Sequence, residues 1–272
     1  KINVGGPCIV ALIHAAQITS GSNGVIKFYG CHGPDENGNF LLSSLQKLPV
    51  NISHYKQMGN LTPSTDVFSD PYYDNGHGER VFVNSIGSAW DYAPENLDAD
   101  FFKSDIVVFG GTALVPQIHN NLGELLQQSK DNGCISLVNT VFDFVNDAAN
   151  PHKRWPLGKN DESYQNIDLL ITDSDEALRL SGEKNLEKAM QFFIDKQTGA
   201  VIITNGAKNV LMYADNKLFG KVNVKELPVS KSISDKIKEK LYAGDTTGCG
   251  DNFVGGVIGS LIFQLNEGRE KL

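Results

Sequence analysis

Long apolar runs are missing from this chain of 272 residues: no stretch approaches the ~20 apolar residues that a bilayer span requires, so no membrane partner is expected. The first residues, KINVGGPCIV, lack a charged leader followed by a long apolar core and a cleavage site, which makes a cytoplasmic protein the expectation. Without such a leader the glycosylation patterns at Asn51 and Asn60 carry almost no weight. Cysteine is scarce. Cys8, Cys31, Cys134 and Cys249 form no CxxC pair and no zinc spacing, so a disulfide framework or structural metal is not expected, and the thiols should be reduced and mostly buried. Positive charge is also in deficit, with 24 Lys and Arg against 32 Asp and Glu, for a net charge of -8. Binding a phosphate backbone needs a concentrated basic face, and the densest basic stretch, KSISDKIKEK (231–240), is interleaved with acids, so no nucleic acid partner is expected. The histidines are scattered and show no HExxH pair; His14 and His119 read as packing or surface residues. No internal repeat and no low-complexity segment is present.

What the chain does have is alternation. Helical spacing over Pro7 to Gln17, with proline suited to a first turn, is followed by a strand-like VIKFY (25–29) and a helix from about Glu36 to Leu48. Residues 50–95 hold short β-like pieces, STDVFS (64–69) and ERVFVNS (79–85), separated by turn residues, which reads as a small antiparallel insertion. Alternation then resumes: DIVVFGG (105–111), a helix over Leu114 to Asn132, CISLV (134–138), DLLI (168–171), helices near 174–182 and 185–198, and AVIIT (200–204), with NVLMYA and KLFGKVNV as further strands. This pattern predicts an α/β layer fold with a mainly parallel sheet, whose ligands bind beyond the carboxyl ends of the strands.

The most informative stretch is GDTTGCGDN (244–252), followed by NFVGGVIGSLIFQL. The latter predicts a nearly all-round apolar, buried helix, and the glycines before it form the loop that feeds its N-terminus. A helix start offers unpaired N–H donors and a positive dipole end, and glycine lets the backbone approach an anion closely. The lysine and hydroxyl of a GxxxxGK[ST] loop are absent, and a dinucleotide fingerprint does not fit so late in the chain. Two readings remain at this point: a glycine turn capped by an acid, or a phosphate site in which Asp251 accepts a proton from an attacking hydroxyl.

Asp245-Thr246-Thr247-Gly248-Cys249-Gly250-Asp251, with Phe253 and Gly255-Gly256, resembles the DTTGAGDxFxGG signature of ribokinase-like (PfkB) carbohydrate kinases. The resemblance extends over most of the chain. Gly5-Gly6 looks like the early GG of that family, and Gly30, Gly33, Asp35 and Gly38 match its GxxGxDxxGxxL stretch. GERVFVNSIGSA (78–89) resembles the lid strand and the turn after it, and IITNG (202–206) resembles the segment lining the nucleotide site. The resemblance implies a ribokinase-like three-layer α/β/α sandwich with a small β lid, in one domain spanning 1–272 with ends that are incomplete by that pattern. It implies a kinase acting on a small sugar with ATP and Mg²⁺, a monovalent cation being a further option. Asp251 would be the base, and the amides of Gly248, Cys249 and Gly250 the anion hole. Thr204, Asn205, Gly206 and Thr246 would lie against the nucleotide, and Gly5, Gly6, Asn84 and His32 against the substrate. Glu176, in DSDEALRLSG, matches the Glu of an NxxE motif that holds magnesium through water, while Asp173 stands in place of Asn; from local pattern alone the pair reads as a capping box. Val10 and Asn209 depart from the pattern at a sugar-contacting Asn and at a glycine. Alternatives within the fold are a nucleoside or vitamin-like alcohol kinase and a catalytically weak sensing relative. The lid strands offer an edge through which a homodimer could pair.

Overall fold

The computed structural model describes residues 2–70, 72, 79–238 and 247–272. Helix α1 (Pro7–Ile18), strand β1 (Gly30–His32), helix α2 (Glu36–Leu45) and strand β2 (Tyr55–Gln57) lead into a hairpin of β3 (Ser64–Asp70) and β4 (Glu79–Ser85). Then follow β5 (Ile106–Gly110), α3 (Pro116–Asn120), α4 (Leu122–Asp131), β6 (Ile135–Asn139), α5 (Phe144–Ala149), β7 (Leu169–Asp173), α6 (Ser174–Ser181), α7 (Leu186–Asp195) and β8 (Ala200–Thr204). The described chain closes with β9 (Val210–Ala214), β10 (Val222–Leu227), α8 (Lys231–Lys238) and α9 (Cys249–Asn266).

Six strands form one sheet in the order β10-β9-β8-β7-β6-β5, parallel from β5 to β8 and antiparallel at β9 and β10. Side chains alternate between its two faces, as strand geometry requires. Val138 and Leu170 join one core with Leu122, Leu126, Ala177 and Phe193 of α4, α6 and α7. Their neighbours Leu137, Leu169 and Ile171 join a second core with Ala11, Leu12 and Ala15 of α1 and Val254, Ile258 and Leu261 of α9. The result is a three-layer α/β/α arrangement: the alternation predicts the layering and the mainly parallel sheet, and the resemblance implies the three layers. Among the described residues no helix is long and apolar enough to cross a membrane.

Helix α9 is less buried than its composition predicts. Val254, Gly255, Ile258, Gly259 and Leu261 face inward, whereas Phe253 and Phe263 are 37% and 41% exposed. Its inner face is built around small residues because α1 crosses it closely: a Cβ on Gly255 would lie 2.5 Å from the Ala11 carbonyl oxygen.

Other boundaries also differ. VIKFY contributes only an isolated bridge from Lys27 to Asn51, and the regular ladder starts at Gly30, pairing β1 in parallel with β2. The single helix expected over 114–132 is two, α3 and α4, with Asn121 between them at φ -106° and ψ 11°. Just before KLFGKVNV the Asn216 side chain accepts the N–H groups of Leu218 and Phe219, at 3.0 and 2.7 Å, so that these donors are spent on a turn and β10 begins at Val222. Of the antiparallel insertion expected over 50–95, the hairpin is antiparallel, its register running from Ser64 opposite Ser85 to Asp70 opposite Glu79, whereas β2 pairs in parallel with β1.

Candidate active site

The first turns of α1, α6 and α9 lie at the carboxyl edge of the sheet with the ends of its parallel strands. Helix α1 starts there because Gly6 adopts φ 109° and Pro7 occupies the first turn. It lies so close to the end of β5 that a Cβ on Gly110 would come within 2.8 Å of Cys8 Cα. The Cys8 thiol is pushed up to about 11 by burial, and the nearby charge of Asp251 adds to the effect. This places the first turns of α1 and α9 side by side. Gly5 and Gly6 are exposed at this junction.

Gly248 adopts a left-handed conformation, φ 83°, as the residue that caps α9. Asn252 closes the turn, donating both its backbone N–H and its side-chain Nδ2 to the Gly248 carbonyl, at 2.9 and 2.8 Å. Helix geometry leaves the N–H groups of Cys249, Gly250 and Asp251 without intrahelical acceptors. Cys249 and Gly250 are exposed, and Asp251 is half-buried one residue further on. Burial holds the Asp251 carboxyl above its usual value, which strengthens it as a proton acceptor. The first part of the motif, including Thr246, lies outside the described residues.

The end of β7 supplies a second acid. Asp173 caps α6, accepting the Glu176 N–H at 2.8 Å. The capping box is only half made, since the Glu176 side chain turns away and bonds to the Thr140 hydroxyl instead. Thr140 lies just past β6, and its Oγ1 also bonds Thr172 Oγ1, at 2.8 Å. Glu176 is 8% exposed, and burial, with the charge of Asp173 and a contribution from Asp251, pushes its carboxyl up to about 8. No described Lys or Arg pairs with Asp173, Glu176 or Asp251. A buried carboxylate with no cationic side chain beside it fits a hard cation. Mg²⁺ keeps several waters and binds through one or two carboxylates and phosphate oxygens, so the Glu176 carboxylate is the residue here that could hold it.

The remaining residues singled out in the sequence are less concentrated. Thr204 and Asn205, half-buried, and Gly206, at φ 55°, sit at the end of β8 on the same edge. Asn84 is half-buried on β4 and accepts from the Thr65 hydroxyl at 2.7 Å, across the hairpin. His32 is 4% exposed; its Nδ1 lies 2.9 Å from the Gly33 carbonyl and its ring packs against Tyr55, so it belongs to the packed base beneath the hairpin. His119 is buried between the Thr112 hydroxyl and the Gly158 N–H, in agreement with its reading as a packing residue. Sequence reasoning missed Thr140 as the holder of Glu176. The available signal was its place directly after CISLV, where a strand end meets the binding edge.

Comparison with known proteins bears on what this edge does. A profile described as pfkB family carbohydrate kinase matches residues 13–266. The chain is 25% identical over 263 residues to adenosine kinase of Schizosaccharomyces pombe, covering 91% of this chain and 70% of that protein. Among solved structures it superposes on adenosine kinase of Anopheles gambiae, in complex with P1,P4-di(adenosine-5) tetraphosphate, with a TM-score of 0.73, 22% identity and coverage of 96% and 74%. Ribokinase of Thermotoga maritima gives a TM-score of 0.69, 23% identity and coverage of 97% and 75%. With the profile spanning most of the chain and the fold shared, this chain belongs to the PfkB family of carbohydrate kinases, which transfer phosphate from ATP to an alcohol group.

Proposed function

We propose that the acceptor is a small sugar or sugar-like alcohol, bound between the β3–β4 hairpin and the start of α1, with Gly5, Gly6 and Asn84 toward it and His32 supporting the wall behind. ATP lies along the carboxyl edge, against Thr204, Asn205, Gly206 and Thr246. The observation that carries this reading is Asp251, a half-buried carboxylate held above its usual range in the first turn of a helix. It takes the proton of the attacking hydroxyl, while the amides of Gly248, Cys249 and Gly250 receive the charge on the transferred group. A loose transition state of this kind needs fixed donors and a proton acceptor more than it needs covalent chemistry. Glu176, supported by Thr140, orients water around Mg²⁺; the ion, when bound, neutralises charge on the phosphates. A monovalent cation near the anion hole would serve the same electrostatic end.

The S. pombe relative favours a second acceptor class, a nucleoside. Turnover of the protein with Mg-ATP against a panel of sugars and nucleosides separates the two, and Asp251→Asn tests the base. Unchanged turnover in that variant would overturn the assignment. We further propose that the hairpin, with Val67, Phe68, Val81 and Val83 exposed, pairs two copies into a homodimer, and that the protein works in the cytoplasm, a setting suited to its four free thiols.

A further inference from the structure

Every residue of β3 is exposed, and among the described residues β3 pairs only with β4. The two legs converge on Leu61. On the way in, the chain passes Leu61 and Thr62 just before β3; on the way out, it turns through Gly87 just after β4, and the Ser88 N–H donates to the Leu61 carbonyl at 2.7 Å. Two glycines close over that peptide from opposite legs of the fold. A Cβ on Gly33 would lie 2.5 Å from Leu61 C, and one on Gly87, which adopts φ 51°, would lie 2.5 Å from Leu61 O.

Thr62, 2% exposed, is fastened by one carboxylate. Its N–H donates to Asp35 Oδ2 at 2.9 Å, and its hydroxyl donates to Asp35 Oδ1 while accepting the Gly33 N–H at 3.0 Å. Asp35 Oδ1 also accepts the Gly38 N–H at 2.8 Å, capping α2. Gly38 has no room for a side chain, since a Cβ there would lie 2.2 Å from the Gly33 carbonyl oxygen and 2.9 Å from Thr62 Oγ1. One carboxylate therefore joins the start of α2 to the root of the hairpin, and three glycines let the segments approach closely enough for it to do so.

We infer that Asp35 and Thr62 are positioning residues that set the angle of the hairpin over the acceptor site, and so control acceptor affinity rather than phosphoryl transfer. The inference rests on the proposed placement of the acceptor beneath the hairpin. A small rotation at the root is amplified along a seven-residue strand, whereas the α9 turn that carries Asp251 packs on α1, away from these bonds.

Asp35→Asn separates this role from simple helix capping. Asparagine caps helices as well as aspartate does, so its carbonyl oxygen still serves Gly38; its amide nitrogen cannot accept the Thr62 N–H. Thr62→Val removes the hydroxyl at nearly constant shape, and Thr62→Ser restores it. Steady-state kinetics with the best acceptor of the panel should show the acceptor KM raised about tenfold in Asp35→Asn and Thr62→Val, with kcat and the KM for ATP unchanged and Thr62→Ser near wild type. An equal effect on the KM for ATP, or a fall in kcat at constant KM, would overturn the inference. Hydrogen exchange gives a readout independent of any acceptor. The Ser88 amide, bonded to Leu61 but not to either altered residue, should exchange faster in both variants, with α9 protection unchanged. Unaltered Ser88 protection overturns the pivot; faster Ser88 exchange with no change in acceptor KM keeps the pivot but removes its link to the acceptor, and so the placement of the acceptor beneath the hairpin.

Discussion

The carboxylate of Glu176, in the first turn of α6, is hydrogen-bonded to the hydroxyl of Thr140, at the end of the neighbouring strand β6. The bond ties two strand ends together and holds an acid where burial disfavours its charge. Burial moves the Glu176 carboxyl from its usual 4.5 up to about 8, so the folded protein retains a proton there that the unfolded chain releases. The native state is therefore progressively penalised as pH rises from 4.5 toward 8. Glu176→Gln, which can still accept from Thr140, should raise the melting temperature of the ligand-free protein at pH 9, by stability on the order of a few kcal/mol. Melting curves of the two proteins should coincide near pH 4; a variant equally stabilised at both pH values would contradict this account.

Thr140→Val tests the same contact from the other side. Losing the hydroxyl leaves a buried carboxylate oxygen without its donor, at a cost of about 1–3 kcal/mol when the acid is ionised. Turnover should then require a higher Mg²⁺ concentration than in wild type, with the KM for the acceptor unchanged. A Mg²⁺ titration of activity reads this directly.

Asp251→Asn should lower kcat by roughly 10²–10⁴, the range typical of a lost general base, while the KM values for ATP and acceptor change little. In wild type, kcat/KM should fall with decreasing pH as Asp251 gains a proton, with a midpoint above the usual 3.8 because burial raises it. A pH–rate profile with its acid limb at or below that value would remove Asp251 from the role.

In the proposed anion hole Cys249 supplies an exposed N–H position, not the reactive atom. Cys249→Ala should keep activity within about twofold, as surface substitutions usually do. Alkylation of the Cys249 thiol should block turnover, ATP should protect against it, and the alanine variant should be insensitive to the reagent. Mass spectrometry of the modified site identifies which of the four free thiols has reacted.

Gly255→Ala should be destabilising by about 1–3 kcal/mol, the usual cost of overpacking, because the new methyl group would meet the Ala11 carbonyl oxygen at 2.5 Å and His14 Cβ at 2.7 Å. Relief of that clash would shift α9 against α1 and displace Asp251, so kcat should fall as well. Gly256→Ala, where a Cβ has nothing within 4 Å, is the control.

The local pattern of this sequence was enough to establish the layered fold and a helix following the glycine-rich loop; the structure starts that helix at Cys249, two residues before Asp251, inside the stretch read as loop. Strand periodicity, the proline at the start of α1 and the glycines before Asp251 act over a few residues, and those interactions are written in neighbouring positions. Cys249 shows the limit of local pattern: the resemblance to the DTTGAGD signature is what reads it as a small N–H position, and the structure places it in the first turn of α9. Tertiary structure decided what distant segments do to one another. Glu176 reads as half of a capping box until Thr140, brought alongside by strand pairing, takes its carboxylate. Asp35 appears in the sequence only as part of a glycine-rich stretch, and it is the fold that makes it both the cap of α2 and the acceptor of Thr62 from another leg of the chain. The apolar residues of α9 read as buried on every side, but Phe253 and Phe263 are 37% and 41% exposed. Period and capping depend on near neighbours, whereas the choice of hydrogen-bond partner and the extent of burial depend on which surfaces the fold brings together.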